Sequence, residues 1–236
     1  MKTLTTILSV TFLIFFCCAC SSGLKLEPQA AASQSAAVND EQLLFVSQQF
    51  HTVTVSPHSL VAAPGMAWRF YIQIKNGSAL DVPFNARQVS VSLNGKPLQL
   101  LSTDAVRARI ISAHDKAVTQ ARERQKRLVY GDIPPVDEPE DSDVQEEWNP
   151  GSSLFDIHAL QQDTERHIKA IDDRTKAQLA NISQHALSNQ NLPPGQVYDT
   201  FVEFIPPSTL QSGDILSLKI GIEPDVHIFG FMLAQS

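Results

Sequence analysis

The sequence predicts a mainly β chain, a sandwich interrupted by an inserted α-helical hairpin. Three observations lead there. Period-two alternation of apolar and polar residues fills residues 43–102 and returns over 191–236. Between them, 103–190 carries apolar residues at three- and four-residue steps, the spacing of helices. Turn residues punctuate the alternating parts at Asn76-Gly77-Ser78, Asn94-Gly95, Pro206-Pro207 and Gly213-Asp214.

The strand assignments follow in order. Leu43–Phe50 opens the folded part, and His51–Val55 alternates up to Pro57. From Ala67 to Lys75, Trp68, Phe70, Ile72 and Ile74 share one face; Arg69, Tyr71, Gln73 and Lys75 share the other. Val89, Val91 and Leu93 point inward in the next strand. Asn94-Gly95 tolerates the positive φ of a tight hairpin, so 97–101 is the returning strand. After the helical part, 197–205, 214–222 and 226–233 are three more strands. The β parts together match the roughly 100 residues of an immunoglobulin-like sandwich of about seven strands.

Ser102-Thr103-Asp104 offers a helix N-cap. Val106, Ile110, Ala113, Ala117 and Ala121 form a narrow stripe, with Arg107, Arg109, Lys116, Arg122, Arg124, Lys126 and Arg127 on the other faces. The second helix carries a longer stripe, Ile157, Leu160, Thr164, Ile168, Ile171, Thr175, Leu179, Ile182 and Ala186. Each stripe is best buried against the other, as an antiparallel hairpin. The connecting loop 131–151 holds four prolines and a run of acidic residues, which exclude a continuous helix. Tethered beside the basic helix, it is expected to pair with it in cis, the alternative being that the basic face docks an acidic partner or lipopolysaccharide.

At the amino terminus, Lys2 precedes an apolar run, Ile7–Phe16, too short to span a bilayer and followed by Cys17-Cys18-Ala19-Cys20-Ser21-Ser22-Gly23. This segment resembles a bacterial lipoprotein lipobox. The resemblance implies removal of the signal peptide 1–19 and acylation of Cys20, with Cys18 as the alternative acceptor because Cys17 stands where such boxes carry Leu. It further implies a membrane partner through the lipid anchor and, with Ser rather than Asp at 21, the outer membrane. Residues 20–42, rich in Ala, Ser and Gln, are expected to be a flexible tether.

Asn76-Gly77-Ser78-Ala79-Leu80-Asp81-Val82-Pro83-Phe84, together with Leu192-Pro193-Pro194-Gly195-Gln196 and Phe201-Val202-Glu203-Phe204-Ile205-Pro206, resembles the immunoglobulin-like domains of bacterial lipoproteins of the DUF4352 type. The resemblance covers the sandwich alone. It implies a non-enzymatic domain and carries over no site residues.

Composition narrows the chemistry. All three cysteines lie at or before position 20, so the mature chain folds without a disulfide. A net charge of -7 argues against nucleic acid as partner. No GxSxG, HExxH or phosphate-cradling glycine loop occurs, and no cofactor is expected. Two alternatives to a binding or structural module with a protein partner in the envelope stay open. One is an enzyme with a dispersed site of His58, Asp199, Glu203 and His227. The other is a metal site formed by His51, His58 and His227 should their strands adjoin.

Overall fold

The computed structural model describes residues 24–39, 42–62, 65–130 and 154–235. The leader, Cys20 and the acidic loop 131–151 lie outside the described residues. The chain divides into two compact units, 1–101 with 187–236, and 102–186. The architecture is the expected one: a mainly β, antiparallel sandwich interrupted by a helical hairpin.

The first unit holds two large sheets. Six strands run in the order β5 (Val61–Ala62), β1 (Leu24–Gln29), β13 (Asp225–Gln235), β12 (Ile215–Ile222), β8 (Val89–Leu93) and β9 (Lys96–Leu98). Five run in the order β11 (Val197–Phe204), β6 (Trp68–Lys75), β4 (Thr52–Pro57), β3 (Gln42–Gln48) and β2 (Gln34–Asn39). A short ribbon pairs β7 (Val82–Phe84) with β10 (Gln190–Leu192).

The alternation read from sequence is the alternation of burial. Along β6, Trp68, Phe70, Ile72 and Ile74 are buried and their neighbours are not. The inner faces meet through aromatic rings. Phe45 of β3 lies edge-on to Phe229 and Phe231 of β13, with centroids 5.1 and 5.6 Å apart. Phe70 tilts against Phe231 at 5.1 Å. Each such pair adds about 0.5–1.5 kcal/mol beyond the area it buries. Truncating one of these rings would cost about 3–5 kcal/mol, mostly through the cavity left behind.

Asn94 and Gly95 take φ of 50° and 76°, the left-handed pair that a two-residue hairpin requires. The Asn94 side chain closes the adjoining turn by accepting from Ile215 N (2.8 Å) and donating to Asp214 (2.7 Å). The returning strand β9 stops at Leu98. Leu100 then bridges Phe204, so the chain crosses from one sheet to the other just before the hairpin.

Two expectations are corrected. The stretch 20–42 contains two strands where a flexible tether was expected. Lys25 and Leu26 pair with Ala234 and Leu233 of β13, and β2 pairs along its length with β3. Leu26 is buried in the core. Backbone ladders are indifferent to the Ala, Ser and Gln composition that suggested a tether, and one inward leucine suffices to seat β1. Pro57 does not interrupt its strand. It is the last residue of β4, buried opposite Phe70, where a missing N–H is harmless.

The second unit is the hairpin of α1 (Thr103–Tyr130) and α2 (Leu154–His185). Ser102 caps α1, its Oγ accepting from Ala105 N at 3.2 Å. Cross-helix bonds Arg107 to Ser183 (2.9 Å) and His114 to Asp172 (2.7 Å) set an antiparallel register. On α2 the half-buried positions are those expected, Leu160, Thr164, Ile168, Ile171, Thr175 and Leu179, with Ile182 fully buried. Thr164 satisfies its hydroxyl on the Leu160 carbonyl, 2.9 Å away. On α1, Val106 is buried and Ile110, Ala117 and Ala121 are half-buried as expected, and one position differs. Ala113 is exposed, and His114 takes its place in the seam. The seam is therefore narrow and carries an ionic contact at its middle.

The ends of the β unit show where the hairpin can be excised. Asn189 accepts from Ala86 N (2.9 Å), and β10 begins at Gln190, so residues from 187 onward belong with the sheets. Replacing 102–186 by a Gly/Ser linker is expected to leave a soluble protein with a β-type circular dichroism spectrum and one cooperative melt, since loop length costs little free energy. An insoluble product, or one without the β signal, would show that the hairpin completes the sandwich core.

Candidate functional site

Three polar clusters interrupt the apolar fabric. The first closes one end of the sandwich. At the end of β6, Asn76 is buried and its side chain makes three bonds. Its amide donates to the carbonyls of Leu80 (2.8 Å) and Leu192 (2.6 Å), and its oxygen accepts from Ser78 N (2.8 Å). Its backbone bonds Gly195 and Gln196. Thus the Asn76-Gly77-Ser78 and Leu192-Pro193-Pro194-Gly195-Gln196 stretches meet in space.

Gly77 stands beside them for a steric reason. A Cβ there would lie 2.0 Å from the Phe50 carbonyl oxygen. Its N–H donates to His51 Nδ1 (3.2 Å), so the ring proton sits on Nε2 and is given to the Glu223 carbonyl at 3.0 Å. His51 N in turn donates to Asp225 Oδ2 at 2.7 Å.

Next to His51, His227 of β13 bonds Ser47 of β3 through Nδ1, 2.9 Å away, joining one sheet to the other. Asp225 Oδ2 lies 3.8 Å from the opposite ring nitrogen. Serine, imidazole and carboxylate on opposite sides of one ring are the residue types of a hydrolytic triad. The geometry serves packing instead. Ser47 and His227 are both 0% exposed, so no substrate reaches the hydroxyl. The 3.8 Å gap is also too long for an orienting hydrogen bond. His227 Nε2 is left buried without a hydrogen-bond partner. Burial pushes the His227 pKa below its ordinary value; Asp225 opposes this and His51 adds to it.

The second cluster lies on the outer face of the five-stranded sheet. Arg69 donates from Nε to Glu203 at 2.5 Å and pairs with it again through its terminal nitrogen. Its guanidinium lies 4.5 Å above the Phe201 ring. Burial disfavours the Arg69 charge, but Tyr71 and Glu203 outweigh it and hold its pKa above the ordinary value. His58 Nδ1 lies 3.5 Å from the Tyr71 hydroxyl. Asp199 accepts from Gln73 (2.9 Å).

The dispersed residues named from sequence therefore separate. His58, Asp199 and Glu203 share this outer face, but Asp199 and Glu203 are four strand residues apart, about 13 Å. His227 is inside the sandwich on the other sheet. Of the three histidines considered for a metal, His51 and His227 come to the same end and His58 follows the far end of β4. Among the described residues, no three His, Cys, Asp or Glu side chains form a group able to hold a metal ion. Ser47 and Asp225, which complete the buried cluster, were missed. The available signal was a serine at an inward position of β3, in phase with Leu43 and Phe45.

The third cluster is in the hairpin, where His114 contacts Asp115 (2.9 Å) on its own helix and Asp172 (2.7 Å) across the seam. Bonds to Asp172 first, then Asp115, raise the His114 pKa above its ordinary 6.5. No protein-family model, curated protein or solved structure matches the chain.

Gly77→Ala is expected to destabilise the sandwich by about 1–3 kcal/mol, because the methyl meets backbone that must move. Thermal unfolding checks this, and an unchanged midpoint would contradict the packing described. The histidines give opposite pH responses. The raised pKa of His114 stabilises the hairpin below 6.5 and loses that contribution as pH rises above it. The lowered pKa of His227 leaves the sandwich stable above 6.5 and weakens it as pH falls, because the unfolded chain takes the proton first. Helical and β signals followed during melts on both sides of that pH are expected to shift in opposite directions. His114→Gln is expected to remove the first dependence and His227→Gln the second.

Proposed function

We propose that this chain is a lipid-anchored protein of the cell envelope that acts by binding, with the sandwich as platform and the helical hairpin as contact arm. The observation that carries the reading is the hairpin surface. Its helices of 28 and 32 residues satisfy each other along one narrow seam. The other faces of α1 carry exposed Ile111 and Leu128 among Arg109, Lys116, Arg122, Arg124 and Lys126. Long helices held together by so little apolar surface offer most of their side chains to a partner, and this face suits one of acidic chemistry.

The anchor rests on the sequence. A charged start, a short apolar run and Cys20 followed by Ser21-Ser22-Gly23 support acylation, and Ser21 supports delivery to the outer membrane. Several acyl chains hold durably without basic residues, since each buried methylene contributes about 0.8 kcal/mol.

In cells fed labelled palmitate, the wild type is expected to take up label and fractionate with outer membranes, and Cys20→Ser to lose both. Equal labelling of the two would move the anchor to Cys18. A photo-crosslinking residue at Leu128 is expected to capture one envelope component in intact cells. Reversing Arg122, Arg124 and Lys126 to Glu should abolish that capture. Capture unchanged by charge reversal would contradict an acidic partner.

A further inference from the structure

β13 is apolar on both faces. Phe229, Phe231 and Leu233 point into the core, while Val226, Ile228, Gly230, Met232 and Ala234 alternate with them and point outward. Val226 and Ile228 are 46% and 53% exposed, so no described residue covers them. Ile215 pairs opposite Met232 and is 50% exposed; Val61, opposite Lys25 in the row of Ala234, is 56% exposed. An antiparallel sheet that faces water ordinarily carries polar residues on that side, and a strand apolar on both faces is one that is covered on both. The outer face of the other sheet is mixed, presenting Thr52, Thr54, Gln73, Lys75 and Asp199 beside Leu44, Tyr71 and Val197.

We infer that this outer face of the six-stranded sheet lies on the bilayer surface. The inference rests on the anchor reading above, and the length and end point of the chain choose the occupant. β1 is the immediate neighbour of β13, and Leu24 pairs with Gln235 at the end of this sheet. Ser21, Ser22 and Gly23 alone separate Leu24 from Cys20. Fully extended, that connection spans no more than about 14 Å, whereas the eleven residues of β13 run about 36 Å. An acylated Cys20 therefore holds the Leu24–Gln235 end of this sheet within about 14 Å of the membrane, with Val226 and Ile228 toward the other end of β13. Of the surfaces beside Leu24, this face is the apolar one.

Its charges are few: Lys25 and Lys219 against Glu27, a net of one positive charge. The contact is consequently apolar, shallow and insensitive to salt. It holds only in combination with the lipid, which supplies the local concentration.

The test uses acylated full-length protein reconstituted in vesicles of phosphatidylethanolamine and phosphatidylglycerol. An environment-sensitive fluorophore is placed at Ile228→Cys or, on the other sheet, at Thr54→Cys. Both sites point out of the sandwich, so the fold should tolerate them. Brominated lipids are expected to quench the Ile228 label several-fold more than the Thr54 label, at low and high salt alike. Vesicle-bound, palmitate-labelled protein in which both labels are equally open to aqueous iodide would overturn the inference and leave the anchor standing. A label at Ile228 shielded from iodide and lipid alike, with cross-linking between copies through that site, would assign the face to a second copy and also overturn it. Protein without palmitate would remove the anchor and the inference together.

Discussion

Asn76 holds together two parts of the chain that the helical insertion separates. The sandwich is made of segments before 102 and after 186, and β11, β12 and β13 must find strands laid down long before them. The buried Asn76 amide bonds the carbonyl of Leu192, 116 residues away, and its backbone receives Gly195 and Gln196. An unpaired amide at that depth would cost about 1–3 kcal/mol, so the pairing is close to obligatory once the sheets meet. Gly77 follows because the Phe50 carbonyl leaves no room for a side chain, and the Gly77 N–H then fixes the His51 tautomer. From there the polar chain runs through Asp225 to β13. One end of the sandwich is thus closed by hydrogen bonds, while aromatic packing fills its middle.

That closure explains why histidines, a serine and an aspartate collect inside the sandwich. Ser47 and His227 belong to different sheets, and their bond joins the layers. The cost is an imidazole nitrogen buried without a hydrogen bond, which remains affordable while the ring stays neutral. The hairpin solves a different problem. Its seam packs branched residues such as Val106, Ile171 and Ile182, and the His114 to Asp172 contact crosses it and fixes the register of the two helices. Two units with such different stabilising forces are expected to respond to acid in opposite ways.

Much of this was legible in the sequence, for reasons tied to periodicity. Trp68 to Lys75 and Val89 to Leu93 alternate cleanly because one side of each strand faces the core. Asn94-Gly95 announces its turn through the φ values it tolerates. The α2 stripe is legible because its members are branched and regularly spaced. On α1, Val106, Ile110, Ala117 and Ala121 are as expected and only Ala113 is misplaced, because His114 reads as polar although it lies in the seam. β1 and β2 are hidden by composition: a ladder of backbone bonds holds them, and Ser, Ala and Gln serve that as well as Val does. Of the buried cluster, His51 and His227 were grouped from the sequence but Ser47 was not: its local sign is its inward phase on β3, and its partner His227 is 180 residues away.

The central claim is that segments on both sides of the insertion form one cooperative body while the hairpin folds as another. Native-state hydrogen exchange across a denaturant series measures this directly. Amides of β6, β11, β12 and β13, with that of Gly195, are expected to exchange at one common opening free energy. Those of α1 and α2 are expected to share a different, lower one. Strands from before and after the insertion opening at separate free energies, or helix and strand amides opening together, would contradict the account.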